Sequence, residues 1–365
     1  SVASVKIALI EPYYGGSHQA WADGYARRSA HSVELITHPA RFWKWRMHGG
    51  FLTLAEELAA RIEADGPPDV ILASSMMNVA SFAGAVRHVA PGVPIAVYFH
   101  ESQFTYPLSP ADKTDLTYPM KNWSSAAVAD LVIFNSAFHR SVFRTEAHRF
   151  LNVFPEDKHV HRIDTVLDAS IVLPVGIDIA DLIDGTRSPT QPPLIMWNHR
   201  WEHDKGPDEL LTIVTGLIDR GVEFQMAMCG EVFVSVPPSF GAVVEALGDR
   251  LIHEGWADRQ RYEELLLSSS VVLSTATQEF FGIGIVEGIA AGAAPVLPNR
   301  LVYPERIEVL DGDPAAMLYD SPDQAAGQII DAFARPTDTA LRRATAIYDW
   351  ESVAPRYDEV MSRQP

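Results

Sequence analysis

Two stretches in the second half of the chain carry charged side chains at spacings suited to a phosphorylated sugar. The first, Asn198-His-Arg-Trp-Glu-His-Asp-Lys-Gly-Pro207, sets the guanidinium of Arg200 and the ammonium of Lys205 five residues apart in one loop. Arginine offers a planar fork and lysine a point charge, a pair that holds diphosphate oxygens when no metal ion does so. A solvated loop with its cations tied to Glu202 and Asp204 is the competing reading. The second, Glu279-Phe-Phe-Gly-Ile-Gly-Ile-Val-Glu287, brackets Gly282 and Gly284 with two carboxylates. The glycines open a helix, let a ligand approach backbone N–H groups, and leave the positive helix end toward a phosphate. Glu279 precedes that helix, and Glu287 sits on its first turns, where it can accept hydrogen bonds from ribose hydroxyls. A bare pair of glutamates at this spacing is common on solvated helices; the strand before it and the two glycines make this one informative. Gly230 and Glu231, and separately Trp256, follow other apolar runs and are candidates for the wall of a base pocket, although Trp256 has an equal claim to packing.

The first half offers different chemistry. In Glu11-Pro-Tyr-Tyr-Gly-Gly-Ser-His18, Gly15 and Gly16 form a turn through which backbone can approach a phosphate or sugar oxygen, and Ser17 is placed to cap the helix that follows. This is not the dinucleotide fingerprint, and no acid follows at its spacing, so a nicotinamide cofactor is disfavoured. His100-Glu101-Ser-Gln103 follows another apolar run, and His100 can polarise a sugar hydroxyl. Arg41-Phe-Trp-Lys-Trp-Arg46 interleaves cations with aromatics, the composition that stacks bases while holding phosphates. A partly buried amphipathic segment is its alternative. A further basic stretch runs from His139 to Arg162. Asp311-Gly-Asp313 mimics a metal-binding pair but reads as a turn, and the scattered histidines show no zinc spacing.

These residues need a scaffold. Short apolar, β-branched runs at Lys6–Ile10, Val33–Thr37, Val70–Ala73, Ile95–Phe99, Leu131–Phe134 and Ile171–Leu173 alternate with amphipathic stretches, which predicts buried parallel strands. A Pro- and Gly-punctuated segment, 184–193, interrupts the pattern. It restarts with Leu194–Trp197, Phe224–Met228, Leu251–His253, Val271–Ser274 and Ala294–Leu297. The expectation is an α/β protein of two doubly wound, Rossmann-like domains facing a cleft. The first spans 1–183, 184–193 is a linker, and the second spans 194–348. An amphipathic terminal helix at 349–365 either completes the second domain or returns to the first. Ligands of open α/β sheets bind at the carboxyl ends of strands, and the candidates above follow strands.

Composition agrees with a folded enzyme: 365 residues, 47% hydrophobic and 21% charged. A single cysteine, Cys229, excludes an internal disulfide. No apolar run approaches a membrane span and no basic leader is visible, so a cytoplasmic protein without membrane association is expected. The net charge of −18 is uneven: residues 1–180 hold 15 Lys and Arg against 18 Asp and Glu, and residues 181–365 hold 14 against 29. A polyanionic partner such as RNA therefore has to approach the first half.

Taken together, Arg200 with Lys205, Glu279 with Glu287 around Phe281-Gly282, the early Gly15-Gly16, and His100 resemble glycosyltransferase family 4, which implies the GT-B fold. EPYYGGSHQ (11–19), HPARFWKWR (38–46), YFHESQFTYP (98–107), NHRWEHDKGP (198–207) and TATQEFFGIGIVE (275–287) are similar to a narrower branch, the tRNA-queuosine α-mannosyltransferases. Animal members of that branch move mannose from GDP-mannose to the cyclopentenediol of queuosine in aspartate tRNA. The resemblance implies that Arg200 and Lys205 bind the donor pyrophosphate, Glu279 positions the sugar and Glu287 the ribose. It further implies that Phe281, Gly282 and Ile283 supply backbone contacts, and that His100 meets the sugar near the reaction centre. Gly15, Gly16, Gly230, Glu231 and Trp256 complete the expected donor set. The expected acceptor set is His18, Arg41, Trp43, Lys44, Trp45, Arg46, Glu101 and Gln103. Transfer with retention is implied, with no metal ion or other cofactor required. A small-molecule or glycan acceptor is the alternative, and a non-catalytic nucleotide-sugar-binding module is the alternative of another class.

Overall fold

The computed structural model describes residues 4–106, 115–232 and 236–364. The chain forms two compact units: residues 1–177 with 350–365, and residues 178–349. The division falls at 177/178, ahead of the Pro-rich stretch 184–193, which lies inside the second unit. That stretch is anchored there, since Arg187 donates to the carbonyls of Ala291 and Ser269 and Ser188 N–H donates to Leu267 O.

In the first unit six parallel strands, β1 (Lys6–Tyr14), β2 (Ser32–Pro39), β3 (Val70–Ser74), β4 (Ile95–Phe99), β5 (Leu131–Phe134) and β6 (Ile171–Val172), stand in the order β2-β1-β3-β4-β5-β6. The apolar runs are long enough to be buried on both faces, as a parallel sheet wrapped by helices requires; β3 and β4 are buried at every position. β1 continues past its apolar run, so Glu11 lies within the strand. Helix Trp350–Met361 belongs to this unit. Its Tyr357 hydroxyl donates to Pro174 O and accepts from Trp21 Nε1, and Trp350 packs where Gly24 and Gly176 leave no room for a Cβ.

The second unit holds β7 (Leu194–Trp197), β8 (Gln225–Cys229), β9 (Leu251–Gly255), β10 (Ser269–Leu273), β11 (Ala294–Pro298) and β12 (Leu318–Tyr319), all parallel, in the order β12-β11-β10-β7-β8-β9. The strand sequence reverses direction between β7 and β10, and the crevice at the carboxyl ends of such a neighbouring pair is where doubly wound sheets take ligands. The loop after β7 is 198–206 and the loop after β10 is 274–282. They are laced together: Thr275 Oγ1 donates to Lys205 O at 2.7 Å, and Thr277 N–H donates to Asp204 O at 2.8 Å. Asp311 takes a left-handed turn conformation (φ 56°) and Asp313 caps the short helix Pro314–Met317, in keeping with a turn there.

Candidate active site

In the second unit Lys205 is buried, which its loop position alone would not require. Its Nζ reaches Gln278 O at 3.0 Å, Asp204 Oδ2 at 3.1 Å and Glu279 Oε2 at 3.5 Å, one acceptor for each ammonium proton. Burial opposes the charge, but Glu279 and Asp204 outweigh it and hold the lysine pKa above its ordinary value. Glu279 is fixed from both ends. Its Oε1 accepts the N–H groups of Phe280, Phe281 and Gly282 at 3.1–3.2 Å, an anion-binding nest built by the turn into helix Ile283–Ala290. Burial raises its pKa, yet Lys205, His199 and those N–H donors reverse the balance and bring it to about 2. Both competing features of the loop are therefore present: Arg200 pairs with Glu202 at 3.2 Å and Lys205 with Asp204, but Lys205 is enclosed rather than solvated.

The nest bears on the expected backbone contacts. Phe281 and Gly282 N–H are already committed to Glu279, and Phe281 O accepts from Arg306, whose guanidinium lies 4.3 Å from the Phe281 ring centroid. Gly282, at φ +83°, is the N-cap, so the next N–H groups belong to Ile283 and Gly284, among the first four that an α-helix leaves without intrahelical partners. Gly284 is held close to Asn198, where an added Cβ would come within 3.0 Å of three of its atoms.

Glu287 is buried on this helix, with Oε1 accepting from Arg259 at 3.1 Å and Oε2 from the Tyr262 hydroxyl at 2.7 Å. Burial raises its pKa; Tyr262 and Arg259 offset only part of that. Asn198 Nδ2 ties the network to Tyr262 and to Gly284 O, each at 2.8 Å. Asn198, Arg259 and Tyr262 were not singled out from sequence; the signal available was Asp258 capping a helix whose first turns carry both Arg259 and Tyr262. Gly230 sits beside the loop, and Trp201 N–H donates to Glu231 O at 3.0 Å, while Trp256 is 77% exposed.

In the first unit Glu11 and His18, seven residues apart, meet the distant His100. Glu11 is fully buried; its Oε1 lies 3.2 Å from His18 Nδ1 and accepts from Tyr13 N–H at 2.8 Å, and its Oε2 lies 4.0 Å from His100 Nε2. Their potential ligand atoms all lie within 4.8 Å of one another, and this is the one such grouping of acids, histidines and cysteine among the described residues. Burial, then the neighbouring His18 and His139, push the His100 pKa well below its ordinary value. Glu11, like Asn198, Arg259 and Tyr262, is not singled out by the sequence alone. Gly15 is the N-cap of helix Gly16–Arg28 and Ser17 lies inside its first turn, so no side chain caps it. Glu101 accepts from the Gln103 side chain at 3.0 Å, and Gln103 N–H donates to Asn122.

The aromatic-basic segment divides. Arg46 is buried, with Nε and one Nη on Pro39 O, and therefore serves the fold. Arg41, Lys44 and Trp45 are exposed, as is Phe42, which adopts φ 53° ahead of helix Trp43–Asp65. Lys44 Nζ lies 5.6 Å from the Trp43 ring, Trp43 packs on Tyr118 at 5.1 Å, and Lys121 extends this face beside Tyr118 and His48. The other basic stretch is largely neutralised: Arg144 pairs with Asp164 and Asp168, Arg149 with Glu146, and His139 is buried. Pro107, which ends the 98–107 motif, lies outside the described residues.

Comparison with known proteins bears on all of this. A tRNA-queuosine alpha-mannosyltransferase N-terminal family matches residues 6–177, and the glycosyl transferases group 1 family matches 178–347. A Drosophila melanogaster tRNA-queuosine alpha-mannosyltransferase is 34% identical over 315 residues, 84% of this chain and 82% of that protein. The chain belongs to the tRNA-queuosine alpha-mannosyltransferase family. It is a glycosyltransferase of the GT-B fold. A sucrose-phosphate synthase from Thermosynechococcus elongatus superposes with a TM-score of 0.71 at 16% identity over 97% of both chains. A GDP-mannose-dependent alpha-(1-6)-phosphatidylinositol dimannoside mannosyltransferase of Mycobacterium tuberculosis is 23% identical over 337 residues, 88% of this chain and 80% of that protein. Within this family member, no helix among the described residues is long and apolar enough to cross a membrane.

Proposed function

We propose that the protein transfers mannose from GDP-mannose to the cyclopentenediol of queuosine in tRNA, with retention at the anomeric carbon. The observation that carries the donor half is the enclosed Lys205 ammonium held against Glu279, beside Arg200, at the carboxyl ends of β7 and β10. In this reading the diphosphate draws Arg200 from Glu202 and takes the outward side of Lys205. The two cations then stabilise the charge that develops as the sugar–phosphate bond breaks, the role a divalent metal ion fills elsewhere. The departing phosphate oxygen accepts the proton of the attacking acceptor hydroxyl on the same face. Glu279, already pinned by three N–H groups, presents its remaining lone pairs to the sugar, and Glu287 with Tyr262 and Arg259 receives the ribose. The fly relative, a tRNA-queuosine alpha-mannosyltransferase, supports the acceptor, and the mycobacterial relative, a GDP-mannose-dependent mannosyltransferase, supports the donor. The exposed face of Arg41, Phe42, Lys44 and Trp45 supports an RNA acceptor bound by the first unit.

The test is incubation with GDP-mannose and queuosine-containing aspartate tRNA, followed by digestion to nucleosides and mass measurement. A queuosine heavier by one hexose is expected, unchanged by a chelator. No hexose-shifted nucleoside with any nucleotide sugar rejects the tRNA acceptor; a chelator that abolishes transfer rejects the metal-independent mechanism.

A further inference from the structure

Arg306 is buried in the second unit, on helix Tyr303–Val309, and belongs to none of the groups assigned to the donor above. Among the described residues its guanidinium meets no carboxylate and donates instead to two neutral oxygens, the Tyr348 hydroxyl and Phe281 O, the latter at 3.1 Å. It lies 4.3 Å from the Phe281 ring centroid and 4.6 Å from that of Tyr348. Burying a cation without a counter-ion is costly, and an apolar side chain of similar volume fills such a space at less cost. Packing alone does not account for an arginine here.

The peptide that Arg306 holds does account for it. Phe281 O and Gly282 N–H belong to one peptide group, and a trans peptide points them in opposite directions. Arg306 donates to the carbonyl at 3.1 Å, and Glu279 Oε1 accepts from the N–H at 3.1 Å. A cation at one end and a carboxylate at the other fix the plane of this peptide and polarise it, so that each hydrogen bond strengthens the other. Gly282, at φ +83° and without a side chain, does little to fix that plane by itself. The same helix backs the turn at its next residue, since the Tyr303 ring lies 3.5 Å from where a Gly282 Cβ would stand. A planar guanidinium can stack on the Phe281 ring and donate from its edge at once, which an ammonium cannot.

We propose that Arg306 is a positioning residue for the donor sugar, orienting and polarising the Phe281–Gly282 peptide so that its N–H holds the Glu279 carboxylate in place. This rests on the glycosyl-transfer reading above, in which Glu279 meets the sugar. Arg306 does not touch substrate; it acts through the peptide and then through Glu279.

The full-length protein is compared with Arg306→Met and Arg306→Lys. The readouts are transfer kinetics with GDP-mannose varied, GDP affinity by calorimetry, and the Phe281 carbonyl 13C and Gly282 amide resonances. In Arg306→Met both resonances are expected to move upfield as the peptide loses its polarising partner. Donor kcat/KM is expected to fall roughly 10- to 100-fold, the scale of one hydrogen bond to a charged group, with GDP affinity held within about threefold. Arg306→Lys, which keeps a charged donor but not the stacked plane, restores part of the transfer and part of the shifts. Unshifted resonances in Arg306→Met overturn the proposal. So does donor kcat/KM within about threefold of wild type, or a loss of GDP affinity equal to the loss of transfer, since Arg306 would then serve the fold of the whole site. If the wild type transfers sugar from no nucleotide sugar, the transfer reading fails by itself, while the two resonances still decide whether Arg306 sets the peptide. If Arg306→Met does not fold, Arg306→Lys and Arg306→Gln carry the same measurements.

Discussion

The two buried acidic clusters, Glu279 with Lys205 in one unit and Glu11 with His18 and His100 in the other, solve the same problem in opposite ways. Glu279 is saturated: three N–H groups on one oxygen, a lysine on the other, and a pKa of about 2. Glu11 keeps one oxygen without a hydrogen bond, 4.0 Å from a His100 nitrogen in the same state. The saturated cluster keeps its charges in place before any ligand arrives, so in the proposed mechanism a diphosphate exchanges with existing partners. In the unsaturated cluster a small shift of the His100 ring would close the 4.0 Å gap to Glu11 Oε2. Pre-organised charge suits the proposed stabilisation of a leaving phosphate.

That contrast can be broken. Its largest expected consequence is at Lys205: Lys205→Ala should lower single-turnover mannosyl transfer by about 10³-fold, the scale of losing a transition-state charge donor. A loss under tenfold would mean that the saturated cluster is structural. Next comes the exposed aromatic face. Trp45→Ala should weaken tRNA binding by about 1–3 kcal/mol, roughly 5- to 150-fold, if a base stacks there, and leave GDP binding unchanged. Arg46→Ala is the control, expected to lower the melting temperature, because Arg46 is spent on Pro39 O. Equal tRNA affinity in wild type and Trp45→Ala would remove RNA from this face.

Acidity sharpens the comparison at smaller amplitude. Burial holds His139 at about 3 in the first unit and, with Lys205 adding to it, His199 at about 4 in the second, against 6.5 for an ordinary histidine. Both are neutral when folded and take up protons when unfolded, so their contribution is intact above about 6.5 and is lost as the pH falls toward those values. Denaturant melts should show stability falling below pH 6.5 by at most about 1.4 kcal/mol per pH unit for each histidine. Below pH 4 the histidine loss should continue through His139 in the first unit, while Glu279, held at about 2, loses its own contribution in the second. Replacing either residue by glutamine should reduce the slope; a slope that neither replacement alters would assign the acid sensitivity to other groups. The smallest effect is expected at Glu202→Gln, which releases Arg200 from a half-exposed ion pair and should tighten GDP binding only a few-fold, as titration calorimetry can measure.

Much of the scaffold was legible because parallel strands buried on both faces are written as continuous apolar runs. Eleven of the twelve strands announce themselves that way, and the two-residue β12 is too short to do so. The donor loops were legible because they directly follow such runs. What was not legible depends on contacts between distant segments. Glu11 looks like the first residue of a loop until β1 is seen to continue through it; the helix Gly16–Arg28 then brings His18 back to it, and His100 becomes a neighbour only when β1 and β4 share a sheet. Arg46 and Lys44 are indistinguishable by composition; the helical phase of Trp43–Asp65 sends one inward and leaves the other outside. Asn198, Arg259 and Tyr262 gain meaning only from the buried carboxylate of Glu287 that they surround.

The membership of helix Trp350–Met361 in the first unit has a consequence for how the protein is made. On the ribosome, residues 1–177 emerge long before the helix that receives Trp21 and fills the space beside Gly24 and Gly176. At typical elongation rates of about 5–20 residues per second, that helix follows by roughly 10–35 s. The second unit, continuous in sequence, has all its strands before then. The nascent first unit must wait with an uncovered aromatic face, a natural stage for a chaperone to attend.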